Sequence, residues 1–279
     1  MMMTSLLEHT FPGIYEHLVK IFNSYWTHPT TSLPQQVPVT TWHAKPTDMP
    51  SIELPFVNYE VHIPPSSREL AVATQANIPW AEDHFQERIS GIPHNPAPSE
   101  AWWPYAVQNN SAHKTEEVYS HTYPERYWPK HAGKWYYKEI EMYGFPHRGI
   151  RFNYGDLNDV ISLLVRDPLT RQAYMPVFFP EDTGAVHGER IPCSLGYHFM
   201  IRQGKLYCTY TMRSCDFLRH WADDMYMTGR LMQFVAGHAD VGVGSMICHI
   251  SSLHIFEGDA FTMSNLLAEI DDDYEPTAF

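Results

Sequence analysis

The residues of this chain best able to do chemistry lie between Ile191 and Ala236. Pro192-Cys193-Ser194 comes first, then a stretch patterned as a hairpin, then Arg213-Ser214-Cys215-Asp216, then Asp223-Asp224 at the head of a helical pattern. Cysteine attacks as its thiolate, and nearby positive charge favours that form. Arg213 follows Cys193 by twenty residues, and a two-strand excursion of that length can return its end to its start. The segment therefore reads as a nucleophile beside an anion site. Each residue also has an ordinary alternative: a surface cation for Arg213, a turn cap for Ser214 and Asp216, and charges that suit a helix N-terminus for Asp223 and Asp224.

These residues need elements to hold them. Tyr197–Arg202 and Lys205–Thr211 predict a hairpin turning at Gln203-Gly204. Met227, Leu231 and Phe234 give an apolar side to a helix over Asp223–Val235. Val241–Phe256 alternates enough for one or two strands. Upstream, Ile14, Leu18, Ile21 and Phe22 predict an amphipathic helix over 11–26, and Phe56–Ile63 has a strand's composition. Residues 27–55, rich in Pro and Thr, read as an irregular connection. A helix is predicted over Pro79–Arg88, loops with short helices over 92–135, a helix from Asp156 stopped by Asp167-Pro168, and a strand over 172–179. Mixed strands and helices without internal repeats give an α+β class.

The whole chain narrows the function. A net charge of −13 over 279 residues argues against nucleic-acid binding, which draws its affinity from basic surface. It leaves room for a small anion held by a few local arginines. The four cysteines form no CxxC pair and read as reduced, partly buried thiols of a cytoplasmic protein. The 17 histidines lack zinc spacing, so no metal is expected. No apolar run reaches the ~18 residues of a membrane span, and residues 1–10 lack a signal pattern.

Pro192-Cys193 with Arg213-Ser-x-Asp216 twenty residues on, in one ungapped register through to Ser252-Leu253-His254-Ile255-Phe256, resembles the thymidylate synthase superfamily. Asp167-Pro168-Leu169-Thr170-Arg171 resembles a second family element, and His121-Thr122-Tyr123-Pro124-Glu125-Arg126 a third. The likeness covers about residues 119–257.

The resemblance implies one catalytic domain over 1–279, with a mixed sheet packed with helices and a homodimer formed through the sheet. It implies transfer of a one-carbon unit from 5,10-methylenetetrahydrofolate to C5 of a pyrimidine nucleoside monophosphate, with no nucleic acid or membrane partner. Cys193 would attack C6 of the base. Arg213 and Ser214 would bind the 5′-phosphate, Asp216 would help hold folate and base, and His254 would bind the sugar. Tyr123 would contact substrate, and Arg171 would reach the partner's phosphate across the dimer. The catalytic glutamate is expected on the early helix, with Glu87 preferred to Glu82.

Asp224 occupies a position where thymidylate synthases carry asparagine, and here the chain resembles the deoxycytidylate hydroxymethylases. That implies dCMP as substrate and water addition to give 5-hydroxymethyl-dCMP. The alternatives are a methylating synthase acting on dUMP or dCMP, a CMP hydroxymethylase, and a non-catalytic nucleotide-binding homologue. The chain departs from the family in Gln172, Ser194 and Phe256 and in lacking an early arginine. Arg126, Lys130 and Arg151 are the candidates to replace the missing phosphate contacts.

Overall fold

The computed structural model describes residues 4–6, 9–27, 39–41, 50–105, 114–115, 118–119, 121–132, 155–185 and 191–272. Its centre is a mixed sheet. The strands are β1 (Thr4–Leu6), β2 (Val39–Thr41), β3 (Pro50–His62), β6 (Tyr174–Pro176), β7 (Ser194–Arg202), β8 (Lys205–Met212), β9 (Cys215–Asp216) and β10 (Gly242–Phe256). The order across the sheet is β1-β3-β10-β8-β7-β6, with β2 on β3 and β9 on β10. Short strands β4 (Lys114–Thr115) and β5 (Val118–Tyr119) pair separately. The helices are α1 (Phe11–Thr27), α2 (Ser67–Thr74), α3 (Trp80–Ile89), α4 (Tyr123–Tyr127), α5 (Leu157–Arg166), α6 (Ala222–His238) and α7 (Ala260–Asp272). The expected α+β class, a mixed sheet packed with helices, is what the chain forms.

The hairpin behaves as its sequence requires. Gln203 and Gly204 adopt positive φ of 52° and 70°, the turn that matches strand twist. On β8, Leu206, Cys208, Tyr210 and Met212 are buried while Tyr207, Thr209 and Thr211 are half-exposed. The buried face joins one hydrophobic cluster that runs in sequence from Phe11 to Met263. Helix α6 lies in that cluster, and α2 crosses it closely. A Cβ on Gly229 would come within 2.6 Å of Leu70 Cδ2, so glycine sets the approach of these helices.

Two expectations change. The strand expected at 56–63 begins at Pro50 and takes in part of the supposed connection, where β2 also pairs with it. Composition hid it: Pro55 sits inside the strand, followed by Phe56 at φ 55°, and long-range pairing with β10 overrides both. The strand over 172–179 shrinks to β6. Of the one or two strands expected over 241–256, one forms, β10, with an irregularity between Val243 and Met246. The rest of the 27–55 connection lies mainly outside the described residues. Among the described residues, no helix is long and apolar enough to cross a membrane.

Candidate functional site

The hairpin closes Cys193 onto Arg213. The Arg213 amide donates to the Cys193 carbonyl at 2.8 Å. Its guanidinium donates to the carbonyls of Pro192 at 2.7 Å and Ile191 at 2.9 Å, and stands 3.8 Å from Cys193 Sγ. One side chain thus holds the loop and sets a fixed cation against the sulfur. Cys193 is half-buried, whereas Cys208, Cys215 and Cys248 are buried. Burial pushes those three thiols well up, keeping them protonated and unreactive.

Cys193 opens onto a cavity of about 150 Å³ that is also lined by Ser214, Asp216, Asp224, Tyr123, His84 and Arg88. Ser214 is buried and its Oγ has no partner among the described residues, so a polar ligand would satisfy it. Tyr123 is within 3.2 Å of Ser194 Oγ, which lies 2.7 Å from the Tyr210 hydroxyl. This chain of hydroxyls fixes the residue that follows the cysteine.

The two acids at the head of α6 part ways. Asp223 accepts from the Asn77 amide at 2.7 Å and side chain at 2.9 Å, anchoring α6 to the approach of α3. Asp224, one residue on, lines the cavity without a hydrogen bond among the described residues. Burial raises its carboxyl to about 7, and Asp223 adds to the rise against the opposing Arg88 charge. An acid near neutrality can hold or give up a proton at working pH.

One end of the cavity is aromatic. Trp80 stacks on His84 with centroids 5.1 Å apart, and Trp103 stacks on His220 at 5.2 Å. Flat walls of this kind suit a ring system. Among the described residues, no group of three or more His, Cys, Asp or Glu is placed to hold a metal ion.

The family model described as Thymidylate synthase matches residues 96–276. The chain belongs to the thymidylate synthase family. It is 29% identical over 111 residues to a protein of Methanosarcina acetivorans named "Putative thymidylate synthase", covering 40% of this chain and 50% of that one. A protein of the same name from Methanothermobacter thermautotrophicus is 32% identical over 107 residues, 38% of this chain and 47% of that one. Another, from Methanocaldococcus jannaschii, is 28% identical over 127 residues, 43% and 57%. The chain spans about half the length of the curated relatives it matches.

Within this family member, Cys193, Ser214, Asp216, Asp224 and Tyr123 come together around the cavity, with Arg213 against the sulfur. The Asp216 carboxylate is engaged elsewhere. It caps the amides of Leu218 and Arg219 at 3.1 Å each and pairs with the Arg219 guanidinium at 2.9 Å. His254 is buried on β10, in register with Asp216 on β9 and Glu53 on β3, and does not line the cavity. Arg171 is exposed and also away from it.

Glu87 does not face the cavity. Its carboxylate accepts from the Ser99 amide at 2.8 Å and Ser99 Oγ at 2.5 Å, and lies 3.3 Å from His84 Nδ1. Burial would raise this carboxyl, but the bonds from His84 and Ser99 outweigh it and hold it below its usual range. Glu82 is bound by Tyr226 and Arg230. Of the arginine substitutes, Arg126 makes a buried bidentate pair with Asp182 at 2.7 and 2.9 Å. Lys130 pairs with Asp159 at 2.6 Å, so both are committed to structure. Arg151 lies outside the described residues.

His84 and Arg88 escaped the sequence reading. They are four apart on α3, so they share a face, and both line the cavity. Arg88 is buried, its guanidinium carbon is 4.1 Å from the centroid of the Tyr123 ring, and its Nε has no partner among the described residues. The signal was the i, i+4 spacing.

Proposed function

We propose that this protein transfers a one-carbon unit to C5 of a cytosine nucleotide, dCMP, and completes the reaction by adding water to give 5-hydroxymethyl-dCMP. The observation that carries this reading is Asp224, which shares the cavity with Cys193 and makes no hydrogen bond among the described residues, while Asp223 is tied to Asn77. Cytosine offers a 4-amino donor and a basic N3. A carboxyl that holds a proton near neutrality can accept from the first and share its proton with the second. Uracil offers an N3–H and a weakly basic O4, so a carboxylate serves it less well.

Cys193 Sγ adds to C6, and the C5=C6 electron pair moves to C5, eased by the proton that Asp224 delivers to N3. Arg213 holds the sulfur and the loop that carries it. The Ser214 hydroxyl, without a partner among the described residues, donates to the phosphate. The aromatic end, with Trp80, Trp103 and His220, fits the flat ring of 5,10-methylenetetrahydrofolate. When bound, that cofactor supplies the carbon at the oxidation level of formaldehyde. Once that carbon is joined to C5, loss of the C5 proton to solvent and departure of tetrahydrofolate as the free amine would leave an exocyclic methylene, to which water adds. Cys193 then leaves C6, restoring the double bond.

We take residues 1–279 as one catalytic domain that works as a homodimer through the half-exposed sheet face, with Arg171 reaching the partner's phosphate. A second reading, a methylating synthase, is favoured by the names of the archaeal relatives. The two separate in one experiment. The protein is given dCMP, CMP and dUMP with methylenetetrahydrofolate, products are weighed, and dihydrofolate is followed by absorbance. A hydroxymethyl product from dCMP without dihydrofolate supports the first reading. A methyl product with dihydrofolate refutes it.

A further inference from the structure

The carboxylates expected to handle the last proton do not face the cavity, but a histidine does. His84 is buried on α3, stacked on Trp80, and lines the cavity that holds Cys193. Its Nδ1 lies 2.8 Å from Ser99 Oγ and 3.3 Å from Glu87 Oε2, and Ser99 Oγ itself is 2.5 Å from that same oxygen. An ionised carboxylate only accepts, so the order of donation follows. Ser99 O–H donates to Glu87, and His84 Nδ1–H donates to Ser99. The imidazole is thereby held in the tautomer whose Nε2 carries a lone pair. Burial and the Arg88 charge lower the imidazole to about 4 against the opposing Glu87, so it is neutral at pH 7.

We propose that His84 is the proton-transfer residue of this site, its Nε2 taking the proton of the water that adds to the exocyclic methylene, with Ser99 and Glu87 as positioning residues. This rests on the hydroxymethylase reading above. In the step, the water oxygen bonds to the exocyclic carbon and the water proton passes to Nε2. The exocyclic π pair moves into the ring, and the ring then expels the Cys193 thiolate from C6. The proton on His84 returns to solvent. No oxidant or reductant is needed.

Two measurements on the full chain test it. Nitrogen-15 NMR of histidine-labelled protein at pH 7 should show His84 protonated at Nδ1 and bare at Nε2, with Glu87→Gln admitting the other tautomer. A wild-type His84 protonated at Nε2 overturns the proposal, as does an unmoved tautomer in Glu87→Gln for the positioning role. Second, His84→Gln should cut release of hydroxymethylated nucleotide by about 100-fold or more, the usual worth of a proton-transfer group. Given methylenetetrahydrofolate and the 5-fluoro analogue of the nucleotide, which has no C5 proton to lose, this variant should still form a mass-detectable adduct at Cys193. Turnover within tenfold of wild type overturns the proposal. So does loss of the adduct in His84→Gln alone, which would move His84 to an earlier step. Absence of the adduct in wild type refutes Cys193 as nucleophile, a separate failure that removes the proposal with it.

Discussion

Replacing Asp224 by asparagine should cost activity on dCMP, admit dUMP and remove a pH dependence. The carboxyl sits near 7 because burial outweighs the Arg88 charge. It rises there from an ordinary 3.8, which is worth roughly 4 kcal/mol between its two protonation states at about 1.4 kcal/mol per factor of ten. If cytosine N3 must receive that proton, the competent fraction is about half at pH 7, about a tenth at pH 8 and about a hundredth at pH 9. Wild-type kcat/KM for dCMP should therefore fall about tenfold per pH unit above 7. Asparagine donates hydrogen bonds but gives up no proton, so Asp224→Asn should lose about 100-fold or more on dCMP and show a flat profile. Its amide suits uracil O4 and N3–H, so the ratio of kcat/KM for dUMP over dCMP should rise. The assay is competitive turnover of the two nucleotides from pH 6 to pH 9. A flat wild-type profile, or an unchanged preference in the variant, would refute the reasoning. Stability supplies an independent check of sign. A raised carboxyl opposes folding once the unfolded chain ionises, so the penalty grows from about pH 4 and is complete above about pH 7. The melting advantage of Asp224→Asn should widen over that window and then level off.

Further outcomes follow from the same geometry. Cys193→Ala should abolish turnover and leave nucleotide binding measurable by calorimetry; unchanged turnover would remove Cys193 as nucleophile. Arg213→Ala strips the donor from the Pro192 and Ile191 carbonyls, so urea unfolding should show a loss of about 1–3 kcal/mol together with the loss of activity. Arg126→Met leaves Asp182 buried without its partner, at a cost of about 3–5 kcal/mol. At a temperature where the variant is folded, its nucleotide affinity should match wild type; a specific loss of affinity would return Arg126 to the phosphate site. Ser214→Ala removes a buried hydroxyl that has no partner among the described residues, so the melting temperature should hold or rise while monophosphate binding weakens. Equal weakening for the unphosphorylated nucleoside would detach Ser214 from the phosphate.

Much of the fold was legible because it rests on local rules. The Gln203-Gly204 turn, the apolar spacing of α1 and the capping box that starts α5, in which Asp156 and Asp159 satisfy each other's amides, are all written in short stretches. The first half of β3 was not legible. Its proline and its residue at positive φ argue against a strand locally, and only the partner β10, about 200 residues away in sequence, makes one. The site divides in the same way. Cys193, Arg213 and Ser214 could be placed together from the sequence because one hairpin carries them. Asp223 and Asp224 are chemically identical in sequence, and packing alone sends one to Asn77 and the other to the cavity.

The sequence by itself determined the candidate nucleophile, the arginine beside it and the family to which the chain belongs, because their spacing is held by a single turn. Tertiary structure decided which acids and bases reach the cavity. Glu87 and His84 stand three residues apart on α3, and only the tertiary structure seats Ser99 against both and leaves the histidine, not the glutamate, lining the cavity. Function in this site depends on which side of a side chain is buried, and burial is set by elements distant in the chain.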